Sequence, residues 1–191
     1  MGRKQSVDEQ ALIAGLSRVF RDVGYEGASL AALADATGLK KASLYHRFPD
    51  GKAQMAQEVL AAAEAWLNTH VLAVLRTTAT PAQRIDAMAR QLDAFYDGGR
   101  QACLLNMLSS PRIQQGPFTA QIRKIFTLWI DALAAVLTDA GLDQSTAQAR
   151  AQRAIALLQG ALVLARGMGT PQPFQDYLKT LPDELLAPLR R

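Results

Sequence analysis

The chain has 191 residues, 49% of them hydrophobic, and 21 Lys and Arg against 17 Asp and Glu give it a formal net charge of +4. That apolar content suffices for a core without covalent staples, and the single cysteine, Cys103, excludes an intrachain disulfide. No stretch approaches the roughly 20 uninterrupted apolar residues of a membrane span, and the opening MGRKQSVDEQ leads into no signal-like run, so a cytoplasmic protein without a membrane partner is expected.

Apolar residues return every three or four positions almost throughout, which predicts an all-α chain. Ser6 and Glu9 form a capping-box pattern ahead of Leu12, Ile13, Leu16, Phe20 and Val23, and Gly24 stops this first helix. Ser29 caps a second helix ending near Thr37 and Gly38, and a short third covers about Lys41 to Phe48. Pro49 and Asp50 close it and cap a long fourth, on which Met55, Val59, Ala62, Trp66, His70 and Val74 recur at helical spacing. A domain break is expected here, with residues 1–50 forming one domain and 51–191 a larger helical one.

Thr80-Pro81 with Gln83 opens a fifth helix whose apolar stripe is Met88, Leu92 and Phe95, and Gly98-Gly99 breaks it. A short sixth helix runs through Leu108, and SSPRIQQGP reads as a loop. The seventh helix spans Phe118 to Ala140, and the eighth begins near Asp143 and runs to GMGTPQP. A short amphipathic tail covers Phe174 to Leu181.

The second and third helices together read SLAALADATGLKKASLYHRF: two short helices, a glycine-containing turn, and a basic second member. This is the helix-turn-helix pattern that lays its second helix in a DNA major groove. Ala34 is small where the helices cross, and Leu33, Leu39, Leu44 and Phe48 supply the apolar contacts. At about 100° per residue, an inward Leu44 and Phe48 leave Ala42, Ser43 and His46 outward, with Lys41, Tyr45 and Arg47 on the flanks. Ala42 then suits a thymine methyl, Ser43 and His46 suit base-edge hydrogen bonds, and the flanking groups suit phosphates. Lys52, the amides opening the fourth helix, and Ser29 extend that phosphate-binding set. Lys40, Lys41, Arg47 and Lys52 against Asp50 leave +3 in residues 38–52, so the rest of the chain is nearly neutral.

On these residues the stretch SLAALADATGLKKASLYHRFPDGKAQM resembles the DNA-binding segment of the TetR family of bacterial transcriptional regulators. There a glycine turn precedes a short helix ending in L-Y-x-x-F, and a lysine follows at the next helix. The resemblance implies a three-helix N-terminal domain, a larger C-terminal domain that binds a small ligand and dimerises, and usually repression relieved by ligand. By position it implies DNA contacts from Ser29, Lys41, Ser43, Tyr45, His46 and Lys52, to which geometry and charge add Ala42 and Lys40. Ala42 stands where the family often has glycine, and Gly51 where many members carry a polar residue.

A lone helix-turn-helix makes few base contacts, so a homodimer on near-palindromic double-stranded DNA is expected. In residues 144–167 the series Ala147, Ala151, Ala154, Leu158, Ala161, Ala165 forms a heptad seam of mostly small side chains. It packs either inside the monomer or against a second subunit; the second reading makes it the dimer interface, with Phe118 to Ala140 as companion. For a small-molecule effector, the fourth to seventh helices offer Trp66, His70, Phe95, Cys103, Met107, Phe126 and Trp129, together with Met88 and Tyr96, a set that equally suits plain core. Binding there is expected to move the fourth helix and so change the spacing of the reading helices.

Cys103 lies near a helix start, three residues after Arg100, two features that favour thiolate. A thiol-based redox or electrophile sensor is therefore the alternative regulator, and a non-catalytic helical interaction module the alternative class. No phosphate-binding glycine loop, nucleophile elbow or metal-spaced His or Cys cluster occurs, so neither an enzyme, a metal nor a cofactor is implied.

Overall fold

The computed structural model describes residues 8–110 and 116–187, and all regular structure among them is helical. Two compact units emerge. The first comprises the described residues up to Ala63 together with Leu104–Ala120, and the second Glu64–Cys103 together with the described residues from Gln121 onward. The division falls inside a helix, at Ala63–Glu64, rather than at residue 50.

In the first unit, α1 (Glu9–Gly27) is capped by Asp8, whose carboxylate accepts from the Gln10 N–H at 3.0 Å. Ser6 of the expected capping box lies outside the described residues. Leu12, Leu16, Val19 and Phe20 are buried, whereas Val23, expected on the same stripe, is exposed. The helix is interrupted at Gly24, where φ is 71° and ψ −177°, and the chain adds one further turn to Gly27. Gly15 lets α1 approach α2 (Leu30–Thr37) closely: a methyl group there would lie 2.5 Å from the Ala36 carbonyl oxygen. The short α7 (Leu104–Met107) packs on α1, and Phe118 meets Tyr25 edge to face at 5.0 Å between ring centroids.

The helix-turn-helix is completed by α3 (Lys41–Arg47) and followed by α4 (Gly51–Trp66). Ser29 caps α2, accepting from the Ala32 N–H at 3.1 Å. Gly38 turns the chain between the helices in the left-handed region, with φ 67°, which a side chain resists. Its N–H closes on the carbonyls of Ala34 and Asp35, and Leu39 N–H reaches Ala34.

In the second unit, α4 continues from Glu64 into a wide π turn at Leu67–Leu72 and a last α-helical stretch, α5 (Ala73–Leu75). The expected Thr80–Gln83 capping box opens α6 (Pro81–Phe95). The unit is completed by α8 (Thr119–Asp139, of which the unit holds the part from Gln121), α9 (Gln144–Met168) and α10 (Gln172–Leu186). Asp143 caps α9, and Gly169 ends it.

Arg84 is buried at the start of α6 and joins three elements, donating to the Leu75 carbonyl at 3.2 Å and to Asp139 at 2.9 Å. Lys124 of α8 pairs with Glu64 at 2.6 Å, and Gln148 of α9 donates to Asp131 of α8 at 3.0 Å. The tail is longer than its apolar pattern predicts, because α10 passes through Pro182. Proline costs a helix interior about 3 kcal/mol, but Leu181 and Leu185 are both buried, at roughly 1.5–3 kcal/mol each, and hold the last turn in place. No described helix is long and apolar enough to cross a membrane.

Candidate functional site

The third helix has the orientation its periodicity requires. Leu44 and Phe48 are fully buried with Leu33 and Ala34, while Lys40, Lys41, Ala42, Ser43, Tyr45 and His46 are exposed. Tyr45 leaves 48% of its surface open, high for a large aromatic side chain. The result is a short helix with its N-cap presenting one small apolar, one aromatic, two polar and two cationic side chains to solvent. Ser29 is exposed at the start of α2, its hydroxyl already accepting the cap bond. Gly51 opens α4 with φ 65°, a conformation that accounts for glycine at this position.

Two cations of the stretch are committed internally. Arg47 donates to both carboxylate oxygens of Glu58 on α4, at 3.1 and 2.7 Å, and pairs with Glu9 on α1. These bonds, Glu9 first, raise its pKa above the ordinary arginine value. A phosphate-binding role for Arg47 on the flank of α3 is thus replaced by a three-helix clamp. Lys52 donates to the Tyr25 carbonyl at 2.7 Å and lies 4.5 Å over the Tyr25 ring, fastening the start of α4 to the end of α1. Its ammonium is half-buried but retains further protons for a phosphate. Of the amides opening α4, the neighbouring Asp50 N–H is taken by the Gln54 side chain at 3.2 Å.

Of the seven residues expected around an effector, Trp66, His70 and Phe95 form one cluster, which Tyr96, edge to face with Phe95 at 5.1 Å, links to Cys103. Trp66 stacks between His70, at 4.8 Å, and Phe95, at 3.9 Å, and His70 Nδ1 lies 3.0 Å from the Trp66 carbonyl. Cys103 is buried beside Tyr96, whose hydroxyl donates to its sulfur at 3.5 Å, and it precedes α7 rather than lying in the helix's first turn. Met107 belongs to the first unit, and Phe126 is half-buried on α8. Of the seven, Trp129 lines a small cavity among α6, α8, α9 and α10, with Met88 and Tyr177 also in its wall. The Trp129 indole N–H is buried without a hydrogen-bond partner, an arrangement that costs about 1–3 kcal/mol. Tyr177 carries no local sequence signal, because its place depends on α10 folding back onto α9, where its hydroxyl donates to the Ala154 carbonyl.

The expected dimer seam is corrected. Ala147, Ala151, Ala154, Leu158, Ala161 and Ala165 are all buried within this one chain, where α9 packs against α10, so they offer no surface to a second subunit. The opposite face of α9 carries Arg153, Leu157, Gly160, Leu164 and Gly167 at the same alternating spacing of four and three, and these are exposed together with Val163 and Met168. Among the described residues, no group of three or more His, Cys, Asp or Glu is placed to hold a metal ion.

A glycine-turned helix pair, with its second helix outward and basic, defines a DNA-binding regulator of the helix-turn-helix class. Residues 12–59 match the family model described as bacterial regulatory proteins, tetR family, and residues 81–180 the model described as the C-terminal domain of LmrA/YxaF-like transcriptional regulators. The chain belongs to the TetR family of bacterial transcriptional regulators. It is 22% identical over 181 residues to the HTH-type transcriptional regulator LmrA of Bacillus subtilis, covering 92% of this chain and 95% of that one. A TetR transcriptional regulator from Legionella pneumophila shares its fold with a TM-score of 0.79, at 23% identity over 94% of this chain and 97% of the other. The Bacillus subtilis regulator FadR, solved with stearoyl-CoA, aligns with a TM-score of 0.73 at 12% identity, over 95% and 99%. Its relatives are named transcriptional regulators, and the chain is a regulator of transcription rather than an enzyme.

Proposed function

We propose that the chain is a ligand-responsive repressor, acting in the cytoplasm as a homodimer on palindromic double-stranded DNA and released by a small, largely apolar molecule. The observation that carries this reading is the outward set on α3. Ala42, Ser43 and His46 are the base-reading side chains, with Lys40, Lys41, Tyr45, Ser29 and Lys52 on the phosphates. Two such helices must lie about one DNA turn, ~34 Å, apart or a multiple of it, so a second subunit is required. The outward face of α9 is the surface that suits it: Leu157, Leu164 and Met168 are exposed, and a Cβ at Gly160 or Gly167 would meet nothing within 4 Å, leaving room for another helix.

Effector binding in the second unit reaches α3 through α4, which contributes residues to both units. It acts by favouring a form whose reading helices no longer match the operator spacing. The relative FadR, solved with stearoyl-CoA, supports ligand binding in this fold without indicating which molecule this chain takes. The test has two stages: select the preferred DNA from a random pool, then titrate candidate effectors against the complex. A palindrome bound far more tightly than random DNA, and released by a saturable effector, is the expected result. Steep salt dependence with no sequence preference would instead mark a nonspecific helical module.

A further inference from the structure

Within the first unit, three side chains from distant parts of the sequence meet at the end of α1. Gly24 breaks that helix with φ 71°, and the Tyr25 that follows lies under the Lys52 ammonium, 4.5 Å from its ring centroid. Lys52 also donates to the Tyr25 carbonyl at 2.7 Å. The same ring meets Phe118 at 5.0 Å between centroids and 77° between planes, with Phe20 stacked on it at 6.4 Å. Phe118 directly precedes α8 and is 2% exposed. Its turn is closed twice, by the Gly116 N–H donating to the Thr119 hydroxyl at 3.1 Å and the Thr119 N–H donating to the Gly116 carbonyl at 3.3 Å.

A solvated lysine has a long flexible stem and gives up much of its rotamer freedom when it grips a phosphate. Lys52 has given it up beforehand, held by one carbonyl and one ring face. The carbonyl takes one of its three ammonium protons, and the half-buried side chain keeps an open side for an anion. We infer that Tyr25 and Phe118 are positioning residues for DNA binding: Phe118 fixes the Tyr25 ring, and that ring holds the Lys52 ammonium where it meets a backbone phosphate. The inference rests on the proposed assignment of Lys52 to the phosphates. Because Phe118 leads straight into α8, which runs on into the second unit, the phosphate contact is tied to that unit by a rod other than α4.

The test uses the full-length chain and the duplex selected from a random pool, with a neutral methylphosphonate replacing one phosphate of each half-site at a time. Neutralising the phosphate that Lys52 grips should weaken binding about tenfold, and Lys52→Ala should remove that penalty and no other. Phe118→Leu keeps a buried apolar side chain, and Tyr25→Leu keeps the backbone acceptor. Each should cut the same penalty to about threefold while leaving those at other phosphates unchanged. In the free protein, the Lys52 side-chain proton signals, shifted upfield by the Tyr25 ring, should move toward ordinary lysine positions in Phe118→Leu. Leu12→Ala, at the other end of α1, should leave these signals in place and act evenly on all phosphates. A Phe118→Leu protein that behaves like Leu12→Ala, or a Lys52→Ala protein that keeps every penalty, overturns the inference.

Binding to a random-sequence duplex decides the matter without an operator. Phe118→Leu should weaken it about threefold in the unmodified chain and not at all in the Lys52→Ala background. Equal weakening in both backgrounds overturns the positioning role. Failure to select any palindrome counts against the repressor reading alone, because this comparison still gives its answer.

Discussion

Arg47 and Glu58 face each other fork to fork, Nη1 to Oε1 at 3.1 Å and Nη2 to Oε2 at 2.7 Å, and so tie the last residue of the reading helix to α4. Glu9 of α1 closes the clamp from the other side. Arg47 is therefore a positioning residue for α3, although its charge invites assignment to the phosphate backbone.

Arg47→Met should keep the aliphatic stem and lose the clamp. Partly exposed bidentate pairs contribute on the order of 1 kcal/mol, so a thermal melt should show a modest drop while DNA affinity falls further as α3 loses its fixed orientation. Glu58→Gln should reproduce the affinity loss. If it leaves affinity untouched while Arg47→Met abolishes it, Arg47 contacts DNA directly.

The exposed residues of α3 divide by what they touch. Lys41→Ala should weaken binding to all sequences alike and reduce the salt-dependence slope by about 1. His46→Ala should instead cost about 1–3 kcal/mol against the preferred operator and relax selectivity at one base pair. Tyr45→Ala should weaken DNA binding without altering the melt, since nearly half of its surface is already open. Filter binding across a salt series, with two operator variants, distinguishes these patterns.

Leu164→Glu on the outward face of α9 should raise the dimer dissociation constant by roughly 2 kcal/mol or more in sedimentation, with the helical signal retained. Ala154→Glu should behave differently. Its side chain has no outlet from the packed α9–α10 contact, so it should destabilise the fold itself, by several kcal/mol. A dimer that survives Leu164→Glu but is split cleanly by Ala154→Glu would restore the inner seam as the interface.

Cys103 is 3% exposed and sits behind the Tyr96 hydroxyl. Alkylation of the native protein by a soluble maleimide should be slow and should quicken only with unfolding, and Cys103→Ala should leave ligand response intact while costing about 1 kcal/mol for the lost sulfur. Rapid labelling coupled to DNA release is the result that revives the thiol-sensor alternative.

These contrasts show where periodicity carries information and where it stops. The reader was legible because its determinants are local: Gly38 needs a left-handed turn, Ala34 a close crossing, and Leu44 and Phe48 one face of two helical turns. The caps at Ser29, Thr80 and Asp143 are equally local. On α9, two stripes have the same spacing, one alanine-rich and one carrying Leu157 and Leu164, and which of them the chain covers depends on where α10 returns. Aromatic residues on the fourth to seventh helices posed the same difficulty. Trp66, His70 and Phe95 stack on one another, while the Trp129 indole N–H is buried without a partner. The Arg47 clamp depends on residues from three helices, beyond any local pattern.

The π turn at Leu67–Leu72 matters for how one continuous rod supplies two hydrophobic cores. Met55 and Val59 are buried in the first and Val71, Leu72 and Leu75 in the second, and the wide turn, which itself carries Val71 and Leu72, holds one residue more than an α-helical turn would. Removing a single residue such as Thr69 should therefore be absorbed, the turn closing to α-helical geometry with Val71 and Leu75 still buried, whereas removing Ala61 from the regular part of α4 would swing everything beyond it by about 100°. The same deletion in the exposed Thr77–Ala79 connection would be absorbed as slack. Length is thus under far tighter restraint in the α-helical part of this rod than at its wide turn or a few residues further on.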